Sequence, residues 1–150
     1  MDREAYMKEA LDLARGCLDT GDVPVGCVVV SPGGEIVGRG RNRREERQSA
    51  QAHAEIEAIA QACAVLGSWR LTGCELYVTL EPCPMCAGAI LNARIDRVWY
   101  GAREEKTGCC GSVLNLFAEN FPYKAAVRGG LLEEESRALL QDFFQRRREI

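Results

Sequence analysis

Two short segments constrain this chain more than any other feature: His53-Ala54-Glu55 and Pro82-Cys83-Pro84-Met85-Cys86. One imidazole, two thiols and a spare carboxylate can hold a metal and move protons beside it. They do so only in a fold that brings the two segments together. Pro84, directly after Cys83, suits the first turn of a helix, where its missing N–H costs nothing. The run from Met85 to Leu91 continues that helix, and His53 likewise opens an alanine-rich helical stretch from Ala54 to Ala60. Both segments therefore predict helix N-termini, whose dipoles favour thiolate and focus positive potential on one point.

The residue types suit zinc, which prefers four tetrahedral ligands and accepts both thiolate and imidazole. His53, Cys83 and Cys86 supply three ligands and leave the fourth position for water. An open site of this kind lowers the pKa of water to about 7 and gives hydroxide at neutral pH. Glu55 is then the proton carrier, taking a proton from that water, passing it to a substrate ring nitrogen and helping the amine leave as ammonia. In isolation each element has an ordinary explanation. A lone C-x-x-C can be a redox pair or a structural knuckle, a lone histidine a cap, and a lone glutamate a complement to the helix dipole. Here all occur together and in order, and His53 is the only histidine. The combination H-x-E followed by P-C-x-x-C resembles the signature of zinc nucleobase deaminases.

Hydrophobic periodicity places the motifs. Met7, Ala10, Leu11, Ala14, Cys17 and Leu18 form one stripe of a helix expected from Asp2 to Thr20, capped by Asp2 and ended by Gly21. Val25 to Val30 reads as a strand, Ser31-Pro32-Gly33-Gly34 as a turn and Glu35 to Gly40 as the returning strand. The His53 helix is expected to reach about Leu66. A strand over Glu75–Leu80 feeds Pro82-Cys83, and the cysteine helix ends near Arg94. A further strand covers Arg97–Tyr100, and a charged, glycine-rich loop runs from Gly101 to Ser112. A short helix over Val113–Ala118, a weak strand near Val127 and a last helix from about Leu132 to Arg148 complete the chain, with Leu139, Leu140, Phe143 and Phe144 as the apolar residues of that helix. A hairpin followed by helix–strand alternation implies an α/β fold: a mixed, mostly parallel five-stranded sheet with helices on both faces. Ligands in such sheets bind at the carboxyl ends of strands, where the step from Leu80 to Cys83 puts the metal.

At 150 residues a single domain spanning 1–150 is expected, with room for a substantial core. No stretch is long and apolar enough to span a membrane, and the expected location is the cytoplasm. The eight cysteines sit largely where a small apolar residue would serve, which argues against a disulfide framework. Cys109-Cys110 reads as a packed or exposed loop without metal. Net charge is −3, which by itself disfavours nucleic acid. Arg39, Arg41, Arg43, Arg44 and Arg47, just before His53, and Arg146-Arg147-Arg148 near the end form local basic clusters that could bind RNA or could be solvated surface.

Beyond the metal motif, Val23-Pro24-Val25-Gly26, Gly40-Arg41-Asn42, Ala52-His53-Ala54-Glu55, Tyr77-Val78-Thr79-Leu80-Glu81-Pro82-Cys83, Met85-Cys86-Ala87-Gly88-Ala89, Gly101-Ala102-Arg103 and Asp142-Phe143-Phe144 resemble the bacterial tRNA-specific adenosine deaminases. The match covers most of the chain in order. It implies a three-layer α/β/α cytidine-deaminase-like fold, a homodimer and one Zn2+ per subunit. The implied reaction is hydrolytic conversion of adenosine to inosine at the wobble position of an arginine tRNA, with zinc hydroxide attacking C6. His53, Cys83 and Cys86 carry over as zinc ligands and Glu55 as the proton shuttle. Asn42 would hydrogen-bond the base and Val25 line the pocket. Glu104, Lys106, Arg146 and Arg147 would contact the tRNA anticodon stem-loop.

The chain departs from the family pattern at Ser49-Ala50-Gln51, where Asp-Pro-Thr is usual, and at Pro122-Tyr123, where Asn-His is frequent. Glu104 replaces a shorter aspartate. These departures leave room for a deaminase of a free base, nucleoside or nucleotide, of guanine or deoxycytidylate type. An inactive RNA-binding partner with structural zinc is the third reading, and Glu55 argues against it. For RNA, an unpaired loop base can be splayed out cheaply, whereas a duplex base must be flipped at a cost of a few kcal/mol.

Overall fold

A computed structural model describes residues 1–148. The elements in order are α1 (Arg3–Arg15), a 3-10 turn (Gly16–Thr20), β1 (Gly26–Val30), β2 (Ile36–Arg41), α2 (Arg44–Arg47), α3 (Ala54–Leu66), β3 (Glu75–Leu80), α4 (Pro84–Asn92), β4 (Arg97–Ala102), a 3-10 turn (Leu116–Ala118), β5 (Ala126–Arg128) and α5 (Glu133–Arg148). The sheet order is β2-β1-β3-β4-β5. β1 is antiparallel to both β2 and β3, while β3–β4 and β4–β5 are parallel. The sheet is therefore mixed, as expected. Its parallel share is two ladders of four, because β1 reverses direction between β2 and β3.

Period-2 alternation divides the core between the two faces. Cys27, Val29, Leu76 and Val78 pack in one cluster with Ala54 and Ala58 of α3 and Ala87 and Ile90 of α4. Val28, Val30 and Tyr77 pack on the other side with Tyr6, Met7, Ala10 and Leu11 of α1. Helix α5 joins α1 on that side through contacts with β4 and α1. The layers are α/β/α. Helix α3 lies directly on β2 because Gly40 has no side chain: a Cβ there would collide with the Ala54 carbonyl at the first turn of α3. This close approach fixes the height of His53 above the sheet edge.

Local differences from the sequence reading have local causes. The first helix tightens at Gly16 into a 3-10 turn instead of continuing as α-helix to Thr20. Asp2 caps α1 by accepting from the Ala5 amide at 2.9 Å, and Gly21 ends the turn at φ 75°. β4 continues to Ala102 because its parallel pairing with β3 extends to Leu80–Ala102. The helix expected over Val113–Ala118 shrinks to the three residues capped by Asn115, leaving Val113 and Leu114 exposed. The short α2 was not anticipated. The buried Asp22 carboxylate holds its start by accepting from the amides of Glu45 and Glu46. The cysteines are free thiols, and Cys109 is buried in the α3/α4 core. No helix among the described residues is long and apolar enough to cross a membrane.

Candidate active site

His53 is the N-cap of α3 and Cys83 the N-cap of α4, with Pro84 in the first turn and Cys86 one turn on. The His53 side chain makes no capping bond to its own helix, so its ring is free to point at the two cysteines. His53 Nδ1 lies 3.6 Å from Cys83 Sγ and 3.5 Å from Cys86 Sγ. The three ligand atoms all lie within 4.8 Å of one another. Soft sulfur and imidazole donors at such separation suit one tetrahedral ion. Because these three leave a coordination position free, the donor set fits a metal of the open type.

The electrostatics agree. A hydrogen bond with Cys86, aided by one with His53, brings the Cys83 thiol down to about 4 against the opposing effect of burial. Cys86 moves up, through that same bond and its burial, and His53 moves up because of its contact with Cys83. Cys83 is the first thiolate of the cluster. Glu55, in the first turn of α3, is 4% exposed, and burial pushes its carboxyl up to about 7. A carboxyl poised near neutrality can both accept and return a proton.

His53, Glu55 and Cys83 line one cavity of about 250 Å³. Val25 and Asn42 form part of its wall. The Asn42 amide is already oriented: its nitrogen donates to the Val23 carbonyl at 3.1 Å and its oxygen accepts from the Arg44 amide at 3.1 Å. One N–H remains for a ligand. Glu104 also reaches the cavity. Lys106 does not line it; Lys106 is exposed on the same loop, its amide donating to the Glu104 carboxylate at 3.1 Å. Arg146 is exposed and pairs with Asp142 one turn earlier at 3.2 Å, and Arg147 stacks over the Phe143 ring. Neither arginine lines the cavity. The side chain of Arg148 lies outside the described residues.

Tertiary structure revises three details. The arginines before His53 do not form an open basic patch: Arg41 and Arg43 bind Glu46, and Arg43 and Arg47 bind Glu57. Arg44 alone of that cluster lines the cavity. Phe144 is not a core residue: Phe143 is buried, while Phe144 is 45% exposed and forms part of the cavity wall. Adjacent helical residues point about 100° apart, so the pair could have been separated from sequence. Thr107 and Glu81 also line the cavity and carry no sequence pattern that announces it. Of the departures from the family pattern, Ser49-Ala50-Gln51 forms the turn leading into His53, and Tyr123 sits beneath the Arg94 guanidinium, 3.6 Å from its ring centre.

Residues 1–148 match the model of the MafB19-like deaminases. The chain is 49% identical over 143 residues to the tRNA-specific adenosine deaminase of Bacillus subtilis (strain 168), covering 95% of this chain and 88% of that protein. A structure from a study of A-to-I editing by tRNA:A34 deaminases at the wobble position of transfer RNA is similar at TM-score 0.87 and 43% identity, over 92% of this chain and 100% of that one. A guanine deaminase from Nitrosomonas europaea is similar at TM-score 0.83 but only 27% identity, over 95% of this chain and 84% of that one. The shared architecture thus extends to enzymes named for different bases; the tRNA:A34 deaminase structure is covered in full at 43% identity, the Nitrosomonas guanine deaminase over 84% of its length at 27%. With the His53, Cys83 and Cys86 side chains clustered and the buried Glu55 lining the same cavity as His53 and Cys83, the chain belongs to the tRNA-specific adenosine deaminase family of the cytidine-deaminase-like superfamily and is a deaminase.

Proposed function

We propose that this protein converts adenosine to inosine at the wobble position of a tRNA anticodon, with an arginine tRNA as the substrate implied by the family. The observation that carries the chemistry is the cavity that Glu55 lines together with His53 and Cys83, two of the three clustered ligand residues. His53, Cys83 and Cys86 would hold zinc, one per subunit, and zinc held there supplies the Lewis acidity that activates water for hydrolysis. Glu55 accepts the proton lost by the attacking water and delivers it to N1 of adenine. Glu55 then takes the second proton, from the new C6 hydroxyl, and passes it to the amine, so that the C6–N bond breaks as the C6 carbonyl forms and ammonia leaves. Val25 packs against the base and Asn42 offers its free N–H. Phe144 gives the splayed nucleotide an aromatic surface, a contact that tolerates any base.

The RNA contacts are assigned to the rim: Glu104 at the cavity, Lys106 beside it, and Arg146 and Arg147 on the exposed end of α5. A basic rim on an acidic chain gives binding that weakens with salt. The family also implies a homodimer. The groove between α3 and α4, where Ile56, Met85 and Ala89 meet Phe121 and Tyr123, offers an apolar face for a second copy. Sedimentation of the purified chain tests it, and a monomer at all concentrations rejects it.

The decisive experiment is inosine formation in an arginine-tRNA anticodon stem-loop carrying adenosine at the wobble position, with Glu55→Ala as control. Inosine from wild type only supports both substrate class and carboxylate. No inosine from zinc-loaded protein, with turnover of free guanine or deoxycytidylate, moves the assignment to a small-molecule deaminase.

A further inference from the structure

The acceptors of one buried carboxylate serve a single loop. Glu81 directly follows β3, is 2% exposed, and its own amide donates to the Ala102 carbonyl at 2.8 Å. Its Oε1 accepts from the Glu104 amide at 3.0 Å and from the Ser112 hydroxyl. Its Oε2 accepts from the Cys110 amide at 2.8 Å and the Ser112 amide at 3.2 Å. The donors come from both ends of the loop spanning residues 103–112. Among the described residues, none of the Lys or Arg side chains forms an ion pair with Glu81. Backbone dipoles and one hydroxyl stand in for a counter-charge.

The contact is built from the loop side as well. Gly108 is buried against Glu81, and a Cβ at that position would collide with both the Glu81 carboxyl and the Glu104 carbonyl. The Gly108 amide donates to that same carbonyl at 2.8 Å. The loop so held brings Glu104 and Thr107 to the cavity wall and Lys106 to the rim. A carboxylate buried only for the fold would be a costly choice, since an apolar side chain could fill the same volume. What the carboxylate uniquely does is fix several amides of one substrate-facing loop at once.

We infer that Glu81 is a positioning residue for substrate, a carboxylate clamp that pre-orders the loop of residues 103–112 so that Glu104, Lys106 and Thr107 meet the anticodon loop without an ordering step. The assignment rests on the RNA reading above. Pre-organisation removes an entropy cost from binding, so the clamp acts on KM more than on kcat.

Glu81→Gln keeps the shape but turns an NH2 toward donors that need an acceptor. Losing part of a charge-assisted set of this kind should raise KM for the anticodon stem-loop about tenfold or more, with kcat within about threefold of wild type. Metal content stays at the wild-type value, and amide hydrogen exchange at Glu104, Cys110 and Ser112 accelerates. Gly108→Ala, whose methyl group collides with the Glu81 carboxyl and with the loop's own Glu104 carbonyl, shifts KM in the same direction. Ser112→Ala deletes only the hydroxyl donor and shifts KM less in the same direction; it carries the test if Glu81→Gln does not fold. Faster exchange with unchanged KM overturns the inference, as does a fall in kcat alone or a loss of metal. Wild type in the same assay separates the two failures. No inosine from wild type overturns the RNA reading, whereas inosine from wild type and variant with equal KM overturns only the role of Glu81.

Discussion

His53 and Cys83 each cap the N-terminus of a helix, whereas Glu104 and Lys106 occupy a loop whose amides bond to one carboxylate outside it. The His53, Cys83 and Cys86 cluster is held by helices packed on the sheet, α3 by its seat over Gly40 and α4 by its direct exit from β3. The rim is held by hydrogen bonds from loop amides to Glu81 and by the exposed end of α5. The centre therefore has little freedom to vary, while the rim can change with few substitutions.

The contrast is broken most severely at the centre. Cys83→Ser or Cys86→Ser should abolish stoichiometric zinc and all turnover, and should lower the thermal midpoint, because metal binding is coupled to folding. Full zinc content by elemental analysis would reject the ligand assignment. Glu55→Ala comes next: zinc and fold are retained while turnover drops by about 10²–10⁴-fold, the usual contribution of a general acid–base group. Activity close to wild type would refute the proton-carrying role.

Changes at the rim should be smaller and should appear in binding. Phe144→Ala removes the aromatic part of the cavity wall and should weaken RNA binding by about 1–3 kcal/mol, the range for base stacking. A fluorescence titration showing equal affinity would leave Phe144 as mere cover. Arg146→Ala combined with Arg147→Ala should flatten the slope of log affinity against log salt by about 1.4, from two single-strand phosphate contacts. An unchanged slope would make the end of α5 a solvated helix terminus.

The smallest effect concerns pH. The Glu81 carboxyl is held below its ordinary range in the folded state. Its ionised form therefore stabilises the protein at pH values above the unfolded glutamate pKa of about 4.3, and that contribution is lost as pH falls through the lower folded value. The stability difference between wild type and Glu81→Gln should be constant near neutrality and shrink below about pH 4. Denaturation midpoints that differ equally at pH 3 and pH 7 would show that the carboxylate charge plays no part in the difference.

The sequence by itself determined the centre of this protein. Helix starts at His53 and Cys83, the strand over Glu75–Leu80 and the α/β order are all governed by local rules of capping, proline placement and periodicity, and local rules can be read along a chain. The donor types at His53, Cys83 and Cys86 are likewise a chemical choice visible in the residues. Only the tertiary structure decided the rest. Arg41, Arg43 and Arg47 look like part of a basic patch until Glu46 and Glu57 are seen to pair with them. Glu81 stands in a motif legible in sequence, but what it binds is not, since its donors lie more than twenty residues away. Ion pairs and loop clamps join residues that are distant along the chain, and their partners are chosen by packing, which no local pattern encodes.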